Sequence, residues 1–314
     1  MSTLVIEKHD ITLEYVTDCL VIRQPDAPVR TVPLSRLNKV ICMHNVQLST
    51  QLIGQLQHRG IDFIVLNNRY VNHSFALYAN THQYALRRCQ QYAWQLEPSQ
   101  RLLIAKIFCA HKFRVSLRLA QAGAEHRLQA QLGMALESLA KVSQEEQLRG
   151  LEGSVQRGLF LYWRQQLDPA WGFEQRIRRP PPDPVNALLS FAYTVVHQEA
   201  VRQCKKYGLD PDLGFYHRLA YGRQSLACDL MEPLRPKVEQ WLVKVLAKGE
   251  LNRRHFSKNR TDGCFLGKEG RLLFYPLFDQ QLPMFKRQLA AHARWLVNYL
   301  KQPDQTATNL EVVA

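Results

Sequence analysis

The spacing of apolar positions along this chain changes once, close to residue 80. Before that point, short β-branched runs alternate with polar and proline breaks, which is the pattern of strands. The runs are Leu4-Val5-Ile6, Ile11-Thr12-Leu13-Glu14-Tyr15, Leu20-Val21-Ile22, Val29-Arg30-Thr31-Val32 and Val40-Ile41-Cys42. Ser49 then caps a helix to about Arg59, with Leu52, Ile53 and Leu56 at helical spacing and Gly60 as its stop. Ile61-Asp62-Phe63-Ile64-Val65-Leu66 reads as a buried strand.

From Asn80 to about Lys248 helical periodicity takes over, broken at Pro98, Pro169 and Pro180-Pro181-Pro182. It predicts helices near 81–95, 99–121, 125–141, 144–167, 185–207 and 225–247. Ser99 and Ser143 are candidate N-caps, the latter with Glu146 completing a capping box. Gly267-Lys268-Glu269-Gly270, between two apolar runs, reads as a hairpin turn, and a last helix is predicted over about 280–301. The fold class is therefore α+β: a small N-terminal β-rich domain (1–80, β-sandwich-like with one helix), then a larger all-α domain. A linker helix over 81–95 would join the two, the all-α domain would span 96–302, and 303–314 would be a flexible tail.

Charge narrows the function. Lys and Arg number 41 against 27 Asp and Glu, a formal charge of +14, which favours a polyanionic partner. Seven dispersed cysteines with no C-x-x-C pair argue against a disulfide framework and a structural zinc site. They suit a reducing cytoplasm. No run approaches the length of a membrane span, and the N-terminus has no signal-peptide pattern.

Three positions in the second half carry the candidate chemistry. Glu152 lies between Gly150 and Gly153, His217 ends Gly208-Leu209-Asp210-Pro211-Asp212-Leu213-Gly214-Phe215-Tyr216-His217, and Glu232 precedes Pro233. Two carboxylates and an imidazole suit a hard divalent cation with coordination positions open to a phosphate. Singly, each also fits a plainer role: a first-turn glutamate, a packed histidine, a solvated acidic face. Asp229 is three residues from Glu232, and such a pair repels unless a cation lies between. Pro233 and Pro236 either open a helix or kink a longer one. Around the acids lie Arg176, Arg178, Arg179, Arg218, Arg223 and Arg235, with Lys258 and Arg260 further on, residues of the kind that neutralise phosphates.

Read with Pro184-Val185-Asn186-Ala187-Leu188-Leu189-Ser190-Phe191-Ala192-Tyr193, these segments resemble the CRISPR-associated integrase-nuclease family. The G-x-E-G, P-x-N-A-L-L-x-F-x-Y, G-L-D-P…G-F-x-H and G-R-x-S-L-x-x-D-L-M-E-P-x-R-P elements occur in the family's order. The likeness spans residues 3 to about 300.

The resemblance implies Glu152, His217 and Glu232 as catalytic, metal-binding residues for Mg²⁺ or Mn²⁺, with Asp229 a supporting acid whose replacement by alanine should be milder. It implies a homodimer formed through the β domains in the prokaryotic cytoplasm, and a small ferredoxin-like partner subunit bridging two dimers. The substrates would be double-stranded DNA with 3′ ends and CRISPR repeat DNA, joined by 3′-OH transesterification; cleavage of DNA would use the same site. Because the first strand starts so early, no fused reverse transcriptase or second nuclease is expected. A transposon-borne relative and a non-catalytic DNA-binding scaffold are the alternatives.

Overall fold

A computed structural model describes residues 2–66, 74–79, 84–259 and 263–301. The chain divides into two compact units, 1–83 and 84–314. The first is built on strands β1 (Ser2–Ile6), β2 (Ile11–Val16), β3 (Cys19–Arg23), β4 (Arg30–Pro33), β5 (Leu37–Cys42) and β6 (Val46–Leu48), then helix α1 (Thr50–His58), β7 (Asp62–Val65) and β8 (Phe75–Leu77). They form two four-stranded sheets, ordered β1-β5-β7-β8 and β4-β3-β2-β6. The period-2 pattern explains the sandwich: Ile11 and Leu13 of β2 are buried and alternate with less buried neighbours. One core takes Leu13 and Leu20 from the β4-β3-β2-β6 sheet, Val40 and Phe63 from the other sheet, and Leu52 and Leu56 from α1. Ser49 Oγ accepts from Leu52 N at 3.2 Å, as its capping role requires, and Gly60 ends the turn at φ +71°. The short β6 and β8 carry no legible alternation and were not predicted.

The second unit is mostly helical: α2 (Ala85–Leu96), α3 (Pro98–Ala122), α4 (His126–Lys141), α5 (Glu145–Gln166), α6 (Pro184–Lys206), α7 (Ser225–Met231) and α8 (Arg235–Ala247). A hairpin of β9 (Phe256–Asn259) and β10 (Gly263–Leu266) follows, then α9 (Lys268–Leu300). Helix α2, read above as a linker, packs within this unit on α3 and α9. Helix α3 is buried on nearly every side, through Ile104, Phe108, Lys112, Phe113 and Val115 among others. That identifies it as the central helix of the unit.

Local details differ from the sequence expectations for identifiable reasons. Glu97, not Ser99, is the N-cap of α3, with Pro98 in the first helical position; Ser99 Oγ donates to Glu97 Oε1 at 3.0 Å. The cap of α5 falls on Gln144, and Gln147 Oε1, not Glu146, accepts from the Ser143 and Gln144 amides. The hairpin predicted at Gly267–Gly270 is instead the start of α9, and the antiparallel pairing lies one segment earlier, Gly263 opposite Asn259. The run Leu272-Leu273-Phe274-Tyr275 is helical: Phe274, Phe278 and Phe285 are buried on one face while Leu272 and Leu273 are exposed. The tail 303–314 and Arg260 lie outside the described residues.

Candidate active site

Three segments bring the predicted acids and imidazole together, and buried polar side chains fix each of them. The 208–217 segment is held from α2. Gln91, fully buried, donates through Nε2 to Asp210 O (2.9 Å) and Leu213 O (2.7 Å), and its Oε1 accepts from Asp210 N at 2.8 Å. From the other side, Asp229 of α7 accepts from Phe215 N (2.6 Å), Tyr216 N (3.0 Å) and His217 N (2.9 Å). Asp229 Oδ1 also takes the His217 Nδ1 proton at 2.7 Å. A carboxylate only accepts, so Nδ1 carries a hydrogen, and in the neutral ring it is Nε2 that presents a lone pair to the site. Gly214 makes this approach possible: a Cβ there would lie 2.7 Å from Asp229 Oδ2 and from the Ser225 carbonyl carbon.

Glu232 sits at a kink. Helix α7 ends at Met231, residues Glu232–Leu234 form a single 3₁₀ turn, and α8 begins at Arg235. Pro233 and Pro236 thus kink a longer helix, because neither can donate the bond that would continue it. Glu152 is in the second turn of α5. Its flanking glycines admit no close backbone: a Cβ at Gly150 meets nothing within 4 Å, and one at Gly153 meets only Arg157 Nη1 at 3.9 Å.

Between the two carboxylates lies an ammonium group. Lys112 of α3, only 1% exposed, places Nζ 2.5 Å from Glu152 Oε1 and 2.7 Å from Glu232 Oε2. Glu232 Oε1 is 2.8 Å from Arg235 Nε and 3.5 Å from His217 Nε2, and the Tyr216 hydroxyl donates to Glu152 Oε2 at 3.1 Å. Burial would favour the neutral form of Glu232, but the Arg235 and Lys112 charges outweigh it and hold the carboxyl well below the usual range. The same attraction, from Glu232 and Glu152, overrides burial at Lys112 and pushes its pKa up. Burial first, then the Glu152 charge, pushes the Tyr216 phenol up, so it stays a proton donor.

A second layer of polar contacts supports these groups. The Arg235 guanidinium lies over the Tyr193 ring, 4.7 Å from its centroid. The Tyr193 hydroxyl donates to Glu239 at 2.5 Å, and Glu239 also accepts from Trp163 Nε1 at 2.9 Å. Asn186, fully buried, closes the 175–177 segment onto α6: its Oδ1 accepts from Ile177 N and its Nδ2 donates to Gln175 O, both at 2.9 Å. These bonds explain the polar positions of the Pro184–Tyr193 element. Lys112, Gln91 and Glu239 escaped the sequence reading; the one available signal was a charged or amide side chain set in an apolar helical run.

The site opens into a cleft of about 680 Å³ lined by Arg149, Arg157, Arg178, Arg218 and Arg223. Of the predicted phosphate contacts, Arg178 and Arg223 are exposed on this cleft. Arg218 reaches it while paired with Glu146. Arg176 also lines it, but its guanidinium is engaged by Asn186 Oδ1 and Ser190 Oγ, each at 2.9 Å. Arg235 is ion-paired with Glu232. Arg179 and Lys258 are exposed but do not line the cleft.

Two carboxylates and a lone-pair imidazole nitrogen are a donor set that fits Mg²⁺ or Mn²⁺. Among the described residues no group of three His, Cys, Asp or Glu side chains is already arranged around a metal. Lys112 fills the gap between Glu152 and Glu232 where such an ion would balance their charge. Nor does any helix among the described residues have the length and apolarity to cross a membrane.

The family model for CRISPR associated protein Cas1 matches residues 4–280. A relative from Thermodesulfovibrio yellowstonii, named CRISPR-associated endonuclease Cas1 1, is 33% identical over 294 residues, covering 89% of this chain and 91% of that protein. Among solved structures, a Cas1 protein from Thermotoga maritima superposes with a TM-score of 0.83 at 18% identity, covering 98% of this chain and 99% of that one. A casposase bound to integration product gives 0.83 at 19% identity, covering 97% and 92%. A chain of a Cas6-RT-Cas1–Cas2 complex gives 0.78 at 20% identity, covering 96% of this chain and 35% of that one. These structural likenesses establish the two-part α+β fold.

Proposed function

The chain belongs to the CRISPR-associated Cas1 family, and on that premise we propose that it is a metal-dependent DNA nuclease and integrase of CRISPR adaptation. The observation that carries the reading is the convergence of Glu152, His217 and Glu232 at the base of an arginine-lined cleft. Glu152, His217 and Glu232 would hold a Mg²⁺ or Mn²⁺ ion, which would supply Lewis acidity to a phosphate and ease deprotonation of an attacking hydroxyl.

The chain's own residues do the rest. Arg178, Arg218 and Arg223 neutralise DNA phosphates and hold the strand in register, mostly without reading bases. Asp229 fixes the His217 tautomer so that Nε2 faces the reacting centre. Tyr216 orients Glu152. With a DNA 3′-hydroxyl as nucleophile the outcome is strand transfer into repeat DNA; with water it is cleavage. The working assembly is proposed to be a homodimer with a small ferredoxin-like partner subunit bridging two dimers, in line with the Cas1–Cas2 complex among its structural neighbours. The casposase likeness favours one second reading, integration of a mobile element.

The test incubates the purified protein and partner subunit with Mn²⁺, a short duplex bearing 3′ overhangs and a supercoiled CRISPR plasmid. Joined products are expected, and Glu152→Ala, His217→Ala and Glu232→Ala each lower their yield by about 100-fold or more while the dimer persists. A plasmid that is neither nicked nor joined sinks the enzyme reading. Joining only to ends that carry terminal inverted repeats transfers the assignment to the mobile-element reading.

A further inference from the structure

Every carboxylate oxygen at the candidate centre already has a partner. Lys112 Nζ takes Glu152 Oε1 and Glu232 Oε2, the Tyr216 hydroxyl takes Glu152 Oε2, and Arg235 takes Glu232 Oε1. The Glu152 and Glu232 charges are also matched, by one ammonium and one guanidinium, and Asp229 behind His217 adds a single further negative charge, less than a divalent ion brings. A divalent ion added to this set would leave a surplus of positive charge in a buried, poorly screened place, with the ammonium as its near neighbour. Like charges at such range cost several kcal/mol even at an intermediate effective dielectric.

The two cations are not equally able to leave. Arg235 is held over the Tyr193 ring with a planar guanidinium. Lys112 carries a compact charge on a flexible four-carbon stem, and its side chain lines the arginine-rich cleft, where there is open volume to receive it. We propose that Lys112 is a place-holding cation: its ammonium occupies the position between Glu152 and Glu232, and it turns out into the cleft when a divalent ion enters.

The inference rests on the metal-dependent reading above and adds a regulatory property to it. Without metal, the ammonium keeps the buried Glu232 and the part-buried Glu152 paired and the fold intact. Metal affinity is then set by competition with an internal ion as well as by the three ligands. Once displaced, the ammonium faces the DNA phosphates in the cleft. A permanently fixed Lys112 would do none of these things and would leave the metal to bind elsewhere or beside it.

The experiment uses the full-length wild-type chain and Mn²⁺ alone as the probe. Binding is followed by the electron paramagnetic resonance of free Mn²⁺, and Lys112 is followed by reductive methylation read by mass spectrometry. Exposed Lys244 and Lys248 serve as internal controls. Methylation of Lys112 should be slow without metal and rise about tenfold or more at saturating Mn²⁺. Lys112→Met should bind Mn²⁺ about tenfold more tightly and regain, on adding the ion, the melting temperature it loses without it. Where Lys112→Met does not fold, Lys112→Gln and the wild-type methylation carry the test.

Mn²⁺ binding that depends on Glu152 and Glu232 while Lys112 stays protected overturns the exchange and leaves the metal site standing. Equal or weaker Mn²⁺ binding by the neutral variants does the same. Absence of any Mn²⁺ binding sensitive to Glu152→Gln or Glu232→Gln removes the metal site itself, and the exchange with it.

Discussion

Replacing Asp229 by asparagine changes the chemistry of one oxygen and almost nothing in size, yet it should be among the most damaging single substitutions in the helical unit. Asp229 is fully buried and its two oxygens accept four hydrogen bonds, from the amides of Phe215, Tyr216 and His217 and from His217 Nδ1. In asparagine one of these atoms becomes an NH₂ group that confronts two N–H donors. Two bonds to a charged acceptor are lost, each worth about 1.5–3 kcal/mol, so the cost is roughly 3–6 kcal/mol. At about 2–4 °C per kcal/mol for a unit of this size, the melting temperature should fall by at least about 6 °C. A thermal melt followed by circular dichroism measures it, and strand transfer should fail in parallel because His217 loses its tautomer and its place. On these four bonds we predict a larger effect at Asp229 than the milder one expected from sequence. A melting temperature within about 2 °C of wild type would show that the carboxylate does not organise the 215–217 segment.

Two further outcomes follow from the same packing. Gly214→Ala should destabilise the helical unit by about 1–3 kcal/mol, since the added methyl meets the Ser225 backbone, which cannot yield cheaply; urea denaturation would show it, and an unchanged midpoint would contradict the contact. Stability should also decline from pH 7 to 5, because burial pushes His111 down to about 3 and His197 and His292 each down to about 4. These histidines are neutral in the fold while the unfolded chain binds protons below about 6.5. Their contribution is complete above that value and is lost as pH falls toward 4, about 2 kcal/mol for each at pH 5. Urea midpoints at the two pH values test this, and a flat profile refutes the neutral burial of the three rings.

The fold was legible where one period dominates. Leu13, Leu20, Val40 and Phe63 announce a sandwich because alternation puts them on inner faces. It failed where two periods compete. Leu272-Leu273-Phe274-Tyr275 is as apolar as a buried strand, and only the recurrence of Phe278 and Phe285 further on shows that a helical face is meant. Pro276 and Pro283 hid that face, since proline in a helix interior is an argument against a helix until tertiary packing overrides it. Gln144 and Glu97 took the caps from Ser143 and Ser99 for a more local reason: the choice among adjacent polar residues depends on the chain's entry angle, which no residue type encodes.

At the site, residue chemistry led to the expectation of a divalent cation, and the structure shows an ammonium beside the same acids. Glu152 and Glu232 cannot lie side by side in a buried place without a positive charge between them. From sequence alone, the natural source is an ion from solution, and the carboxylates and His217 were therefore expected to be its ligands. The fold shows that the chain can answer the same demand from within, through a lysine 40 residues before Glu152 and 120 before Glu232. Nothing in the sequence around Lys112 links it to either acid; it is one lysine in a helix buried on nearly every side. That setting was nonetheless informative. A lysine among Phe108, Cys109, Phe113 and Val115 must reach a partner or carry an unaffordable buried charge. Lys106, earlier in the same helix, reaches the backbone carbonyls of Ala140 and Val142, whereas Lys112 reaches Glu152 and Glu232, acids that lie far off in the sequence.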